Sequence, residues 1–206
     1  MSSIVNQFKE VPTTCISDAM QGLNGLDPSI KPLKEEYKIA GRAFTVNLPA
    51  NDNLMFLKAI KEAKPGDILV VDAKGHQYNA IAGDFVVGMA QTLGLGGIVV
   101  DGVIRDVAEI KSLNFPVFCK GTTVAASGKA GGGETGVPIS CGGVTIYPGD
   151  IIVGDVDGVT VVPERMEQDV LKKALEKMAK DEERAGSILG NREAVINYID
   201  RMLAKK

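Results

Sequence analysis

The sequence contains no tryptophan, one histidine and three cysteines, and these shortages exclude several kinds of site. A single histidine, His76, cannot build a multi-histidine metal site. Cys15, Cys119 and Cys141 are far apart and form no Cys-x-x-Cys pair, so neither a disulfide framework nor a cysteine zinc site is indicated. We expect the cysteines to be buried as small hydrophobic side chains, and His76 to lie in a solvated loop.

Basic patches and long apolar runs are also missing. The net charge is -3, and no stripe of Lys and Arg interleaved with aromatic residues appears, so nucleic acid is not an expected partner. No run approaches the roughly 20 apolar residues of a membrane helix, and the first residues show no basic segment followed by an apolar one. The sequence therefore predicts a cytoplasmic protein that makes no contact with a membrane.

What the chain does contain is typical of a globular α/β protein. Its 206 residues are 45% hydrophobic and 24% charged, which is enough apolar material for a substantial core. Because aromatic residues make up only 5% and glycine is frequent, we expect a core of Val, Ile, Leu and Ala joined by tight turns.

Apolar patterning predicts strands and helices that alternate through the middle of the chain. The predicted strands are IAGRAFTVNL, PGDILVVDA, LGLGGIVVDG and FPVFCKG, and the predicted helices are DNLMFLKAIKEA, residues 79–93 and VIRDVAEIKSL. Near the start, Thr13 or Thr14 would cap a short helix. The fold class is predicted to be α/β, a single β/β/α layered, swivelling-domain-like domain over 1–206, with 164–206 as a helical C-terminal extension.

The segment DGVIRD at 101–106 is the most informative part of the sequence for chemistry. It places Arg105 and Asp106 where a predicted strand runs into a helix. The carboxyl ends of strands are where open α/β sheets bind their ligands. An alternative stays open, because an arginine and an aspartate at a helix start also form a structural salt bridge that the helix dipole favours.

A second helix start is predicted nearby in the sequence. It comprises Gly83, Asp84, Phe85 and Val86. Their backbone N–H groups could bind a carboxylate in the manner of a helix N-terminus. The two predicted helix starts together could frame one anionic substrate.

The order and spacing of these pieces resemble a known family. Asp84 is followed by twenty residues and then by Arg105 and Asp106, which gives D-x20-R-D. With DGVIRD, FPVF, the segment GGVTIYPGDIIVGDVDGV and the VVP after it, this pattern resembles the 4-hydroxy-4-methyl-2-oxoglutarate aldolases and the related RraA-type regulators of RNase E. The resemblance runs from about Thr14 to Pro163.

The resemblance implies a divalent metal cofactor, Mg²⁺ or Mn²⁺, held by Asp106 and otherwise largely by water. It implies that Arg105 binds the oxo and carboxylate region of a small 2-oxo acid substrate, while the backbone from Gly83 to Val86 takes the pyruvyl carboxylate. Asp84 would position a water for proton transfer. The implied reactions are aldol cleavage to pyruvate and oxaloacetate decarboxylation through a shared pyruvate enolate.

Two loop residues have open roles. Lys129 could meet the distal carboxylate of a dicarboxylate substrate or could be an exposed loop lysine. Glu134 is favoured as a carboxylate that braces its loop through backbone N–H groups, over a catalytic role.

The resemblance also implies a homotrimer or a hexamer of stacked trimers, with the site at a subunit boundary. It leaves a second function open, a protein-binding regulator of an RNA-degrading enzyme, because the fold is shared. The enzyme is favoured, since the regulator branch typically alters the position of Asp84. A methyltransferase finds no support, because no strand-G-x-G-x-x-G-helix unit is evident.

Overall fold

The structure, a computed structural model, describes residues 3–204; the first two and last two positions of the predicted domain lie outside the described residues. The helices are α1 (Ile4–Lys9), α2 (Thr13–Ala19), α3 (Leu54–Glu62), α4 (Asp84–Thr92), α5 (Val107–Leu113), α6 (Glu167–Ile188) and α7 (Arg192–Leu203). A short 3-10 helix, Glu164–Met166, precedes α6.

The strands are β1 (Lys31–Pro32), β2 (Ile39–Asn47), β3 (Ile68–His76), β4 (Asn79–Ala80), β5 (Gly97–Ile104), β6 (Val117–Thr122), β7 (Ala125–Ala126), β8 (Glu134–Thr135), β9 (Ile139–Cys141), β10 (Val144–Ile146), β11 (Ile151–Asp155) and β12 (Gly158–Val162). The main sheet has the order β1-β6-β5-β3-β2-β11-β12, and β8 also pairs with β2. Strands β2, β3, β5 and β6 are parallel, so their carboxyl ends lie at one edge.

Helices α3, α4 and α5 cover one face of the sheet. Their buried side chains pack on that face in a cluster that includes Phe56, Ile60, Val87, Ile110, Val71 and Val100. The other face packs against the β9–β10 hairpin in a cluster that includes Val70, Val99, Phe118, Ile139 and Ile146. These layers confirm the predicted β/β/α arrangement. Successive side chains of a strand point to opposite faces of the sheet, so the apolar central strands supply both faces with core residues.

The terminal helices form a third packed region at the far edge of the sheet. Buried side chains of α1, α2 and α6 contact β11 and β12 in a cluster that includes Phe8, Ile16, Leu171, Ile151 and Val162. Helix α7 follows α6 and contains no buried residue. The predicted C-terminal helices are therefore present, and the second of them leaves Ile196, Ile199, Met202 and Leu203 exposed.

Several local predictions were wrong, each for an identifiable reason. The helix predicted over 79–93 begins only at Asp84, because β4 pairs with β7. The Val-Ile-Arg-Asp part of the next predicted helix is also not helical, since β5 continues to Ile104. Helix α2 begins after Pro12, and Thr13 donates its hydroxyl to Asp155 instead of capping the helix.

The histidine and cysteine predictions had different outcomes. His76 ends strand β3 half-buried, with Nε2 3.0 Å from Asn79 Oδ1, so the predicted solvated loop position was wrong. The cysteines are free and buried, as predicted. Burial raises the pKa of the Cys119 thiol to about 11, which is typical of an inert thiol in the core. Among residues 3–204, no helix combines the length and the apolar character needed to cross a membrane.

Candidate functional site

The end of β5 and the approach to α4 lie side by side. Ile81 N–H donates to the Val103 carbonyl at 2.9 Å, and Arg105 N–H donates to the Ala82 carbonyl at 3.0 Å. These two hydrogen bonds bring Gly83 beside the residues that follow β5. Residues 22 and 23 positions apart in the sequence therefore meet at one point of the sheet edge.

Gly83 permits a close approach to Asp106 that no larger residue would allow. A β-carbon at position 83 would collide with Asp106 Oδ2 and lie 3.2 Å from Arg105 Nε. Asp106 itself adopts a left-handed conformation, with φ of 57°, and its side chain does not cap α5. Aspartate is one of the few non-glycine residues that adopt this conformation readily, and Asp106 lies in the turn between the end of β5 and the start of α5.

Arg105 and Asp106 contact each other at the mouth of this region. Arg105 Nε lies 3.4 Å from Asp106 Oδ2, and both side chains are partly exposed. This distance and exposure are typical of a loose ion pair that contributes little to stability. Both groups therefore keep hydrogen-bonding capacity for a ligand.

The start of α4 is open to an anion. Gly83 is its N-cap, no side chain caps the helix there, and Asp84 lies in its first turn. The first backbone N–H groups of a helix have no partner within the helix, so they can bind a carboxylate. Phe85 is 77% exposed and flanks this helix start.

All the residues predicted for the site line one cleft of about 240 Å³. Its lining residues are Asn53, Ala80, Ala82, Gly83, Asp84, Phe85, Val86, Arg105, Asp106, Ala126, Ser127 and Lys129. Lys129 is exposed on the Gly-rich loop at the rim. The structure thus brings together every sequence-predicted site residue, and it adds Asn53 and Ser127, which the sequence did not single out.

The Gly-rich loop is held by Asp52, a buried carboxylate. Its Oδ1 accepts from the Leu54 N–H at 2.8 Å and its Oδ2 from the Gly131 N–H at 2.7 Å. The hydrogen bond from Leu54 lowers the pKa of Asp52 most; burial opposes it, and the Gly131 N–H lowers the pKa further. Glu134 is exposed in β8, and the loop is held by Asp52 instead, so the prediction that Glu134 braces the loop was wrong.

Asn53 and Ser127 are the functional candidates that the sequence reasoning missed. Asn53 is buried, and its Nδ2 donates to the Ile81 carbonyl at 2.8 Å. Ser127 follows β7, where the loop enters the cleft. The run Asn51-Asp52-Asn53 before α3 was a usable signal, because Asn and Asp before a helix often bond nearby backbone.

The carboxylates of the cleft suit a hard cation with few protein ligands. Within the described part of the chain, no three His, Cys, Asp or Glu side chains cluster so as to enclose a metal ion. Mg²⁺ often binds through one or two carboxylates and keeps several waters. Asp106, partly exposed and not engaged as a helix cap, fits that requirement.

A second charged cluster lies deeper on the same strands. Lys120 Nζ lies 2.6 Å from Asp101 Oδ1 and 3.0 Å from Asp27 Oδ2, while Asp101 Oδ2 accepts from the Gly142 N–H. Burial alone would lower the pKa of Lys120, but the hydrogen bonds to Asp101 and Asp27 raise it. Hydrogen bonds from Ser29, with Lys120 adding to them, lower the pKa of Asp27 to about 2.

Comparison with known proteins shows that the sequence is similar to a known family. Residues 13–161 match the RraA-like family model described as Aldolase/RraA. A Halalkalibacterium halodurans protein named provisionally as a 4-hydroxy-4-methyl-2-oxoglutarate aldolase is 56% identical over 199 residues, covering 97% of this chain and 95% of its own. The family match ends before α6 and α7.

Several solved structures share this fold. A protein of Pseudomonas syringae pv. tomato aligns with a TM-score of 0.82 and 27% identity, covering 95% of this chain and 94% of its own. The RNA-processing inhibitor RraA from Thermus thermophilis aligns with a TM-score of 0.69 and 31% identity, covering 75% of this chain and 94% of its own. The chain, with its D-x20-R-D residues gathered in one cleft, therefore belongs to the Aldolase/RraA family.

Proposed function

We propose that this protein is a divalent-metal-dependent aldolase that cleaves 4-hydroxy-4-methyl-2-oxoglutarate-type 2-oxo acids to pyruvate and also decarboxylates oxaloacetate. The observation that carries the proposal is the meeting of Asp84, Arg105 and Asp106 in one cleft beside an uncapped helix start. The similarity to the relative named provisionally as this aldolase supports the same reaction.

The substrate would bind through its pyruvyl end. The backbone N–H groups at the start of α4 would hold the carboxylate next to the oxo group. The planar guanidinium of Arg105 would contact the oxo oxygen and a carboxylate oxygen together, as its fork of donors allows. Lys129 at the rim of the cleft would meet the distal carboxylate of a dicarboxylate.

Asp106 would hold the metal, Mg²⁺ or Mn²⁺, with water completing its ligands. When bound, the metal supplies positive charge that stabilises the negative oxygen developing on the substrate. The residues of the chain then have to orient the substrate and move protons around that charge.

Aldol cleavage removes the proton of the C4 hydroxyl and breaks the C3–C4 bond. The electron pair of that bond passes to C3 and onto the C2 oxygen as pyruvate enolate, and C4 becomes the carbonyl of a second product. Asp84 would position the water that takes the hydroxyl proton. Arg105 would donate to the oxygen of the enolate, which then takes a proton at C3 to give pyruvate.

Oxaloacetate would use the same part of the site. Loss of CO₂ from C4 leaves the same electron pair on C3, so the product before protonation is again pyruvate enolate. Because both reactions develop negative charge on the C2 oxygen, both depend on Arg105.

The direct test is a pyruvate-release assay on the purified protein. We expect pyruvate from both 4-hydroxy-4-methyl-2-oxoglutarate and oxaloacetate, loss of both activities with EDTA, and recovery on adding excess Mg²⁺ or Mn²⁺. Full activity in a metal-free preparation would contradict the metal-dependent mechanism. No pyruvate from either acid would contradict the aldolase.

The similarity to the RNA-processing inhibitor RraA supports a second candidate function, a protein-binding regulator of an RNA-degrading enzyme. A regulator acts through its surface and does not require the cleft residues. Adding the protein to an RNA cleavage assay with RNase E separates the two functions. Inhibition that persists in Asp106→Ala, together with no pyruvate release by the unaltered protein, would favour the regulator.

We also propose a homotrimer or a hexamer of stacked trimers with the cleft near a subunit boundary. Two large apolar side chains directly before β4 and β7 are strongly exposed, Tyr78 at 73% and Val124 at 95%. Exposed apolar side chains are frequent at protein interfaces. Light scattering at micromolar concentration should show an assembly, and a monomer alone would overturn the shared boundary.

A further inference from the structure

We propose that Asn53 and Ser127 form a subsite for the 4-hydroxyl group of the substrate, and that this subsite selects hydroxylated 2-oxo acids for aldol cleavage. The inference rests on the proposed function and deepens it. Neither residue belongs to the D-x20-R-D set, and both line the same cleft as Asp84, Arg105 and Asp106.

Asn53 has one amide atom engaged and one without a partner. The residue is only 7% exposed, and its Nδ2 donates to the Ile81 carbonyl at 2.8 Å. Because a carbonyl oxygen can only accept, this bond fixes the orientation of the amide and leaves Oδ1 as the other polar atom. Asn53 Oδ1 is buried and has no hydrogen-bond partner.

Ser127 supplies a second buried polar atom without a partner. Its Oγ lies out of contact with solvent and makes no hydrogen bond. The backbone next to it is fixed, because the Gly128 N–H donates to the Asn51 carbonyl at 3.0 Å and the Asn53 N–H donates to the Gly128 carbonyl at 3.1 Å. The hydroxyl is therefore held in place by a rigid loop and not by a partner of its own.

Two such atoms on residues that line one cleft point to a ligand group, because buried polar atoms are normally hydrogen-bonded. Asn53 Oδ1 only accepts a hydrogen bond, while Ser127 Oγ can both donate and accept. An alcohol on the substrate matches this pair, since it can donate to the amide oxygen and accept from the serine. An ionised carboxylate has no proton to donate to Oδ1 and would face that oxygen unfavourably.

This chemistry separates the two proposed reactions. A 4-hydroxy-2-oxo acid carries the alcohol whose proton must leave during cleavage. In the bound substrate that proton would point to Asn53 Oδ1, and it would turn to the water at Asp84 for cleavage while the hydrogen bond from Ser127 Oγ keeps the hydroxyl oxygen in place. The keto form of oxaloacetate has no hydroxyl group, so its decarboxylation needs neither Asn53 Oδ1 nor Ser127 Oγ. The ratio of the two activities therefore reports on the subsite.

The experiment compares Ser127→Ala and Asn53→Ala with the unaltered protein, with Mg²⁺ present and pyruvate as the readout. For each, kcat/KM is measured for 4-hydroxy-4-methyl-2-oxoglutarate cleavage and for oxaloacetate decarboxylation. We expect the ratio of cleavage to decarboxylation to fall about tenfold or more in both variants, as for a site built to bond a substrate hydroxyl.

Asn51→Gly is the matched control. Asn51 Oδ1 also accepts from the Gly128 N–H, at 3.2 Å, so the change loosens the same loop without altering a residue that lines the cleft. Glycine tolerates the positive φ of 61° at this position. We expect the activity ratio of Asn51→Gly to equal that of the unaltered protein.

The outcomes distinguish the inference from the proposed function. Equal losses of both activities, or an unchanged ratio, in Ser127→Ala would overturn the hydroxyl subsite while leaving the aldolase in place. An unaltered protein that releases no pyruvate from the hydroxylated acid would overturn both. If Asn53→Ala fails to fold because Ile81 loses its partner, Ser127→Ala decides, since that variant keeps the Asn53–Ile81 bond.

Discussion

Two pairs of opposite charge, one beside strand β5 and one just beyond its end, differ in spacing and exposure. Asp101 and Lys120 lie 2.6 Å apart, with side chains 11% and 13% exposed. Arg105 and Asp106, just beyond the end of the strand, lie 3.4 Å apart and are 42% and 37% exposed. Removing a partner from a buried pair leaves an uncompensated charge, whereas an exposed pair contributes little to stability.

The outer pair is available to bind a ligand, whereas the inner pair is not. Asp101 is occupied on both oxygens, by Lys120 and by the Gly142 N–H, so it has little capacity for a ligand. Arg105 and Asp106 face a cleft and contact each other only loosely. We therefore expect changes in the inner pair to affect folding and changes in the outer pair to affect turnover.

The largest effect is expected from Asp106→Ala, which removes the proposed metal ligand. Pyruvate release should fall about 10³-fold, a loss of about 4 kcal/mol of transition-state stabilisation. Modest additions of Mg²⁺ should not restore it, because the carboxylate that would hold the cation is gone. Titrating Mg²⁺ against both proteins checks this, and an unchanged metal dependence in the variant would place the ligand elsewhere.

Lys120→Met should lower stability and leave turnover nearly unchanged, because it breaks the inner pair while keeping most of the side-chain volume. We expect the free energy of unfolding to fall by about 3 kcal/mol, since Asp101 is left buried without its cation. At a temperature where the variant is folded, kcat should stay within about threefold, as Lys120 lies outside the cleft. Denaturant unfolding beside the pyruvate assay measures both, and a stable but inactive Lys120→Met would contradict the division between the pairs.

A third carboxylate, Asp52, is buried like Asp101 but holds the Gly-rich loop beside the cleft. Asp52→Asn should lower stability at neutral pH by about 2 kcal/mol, since an amide cannot accept from all the loop N–H groups. The folded protein lowers the pKa of Asp52, so its stabilisation is present above the usual value of 3.8 and is lost as pH falls through the lower folded value.

The stability difference between the unaltered protein and Asp52→Asn should therefore shrink as pH falls from 7 towards 3. Thermal unfolding of both proteins across this range is the measurement. A difference that stays constant with pH would show that the charge of Asp52 does not hold the loop.

Much of this arrangement was predictable from sequence, and the failures have physical causes. Strong apolar patterns located β2, β3, β5, α3 and the layers, and the spacing of Asp84, Arg105 and Asp106 located the cleft. The pattern of 79–93 misplaced the start of α4, because β4 is fixed by pairing with β7 and not by local preference. Asp52 was missed in favour of Glu134, because which carboxylate meets the loop N–H groups depends on tertiary contacts.

Whether Arg105 serves catalysis or stability is decided by kcat for oxaloacetate decarboxylation by Arg105→Lys, measured beside thermal unfolding of the same variant. Lysine keeps the charge of Arg105 but replaces a planar fork with a point charge, so it cannot bind two substrate oxygens together. We predict that kcat falls at least about tenfold, about 1.4 kcal/mol, while the unfolding temperature is nearly unchanged. Near-normal kcat with a lowered unfolding temperature would instead show that Arg105 and Asp106 form a structural salt bridge.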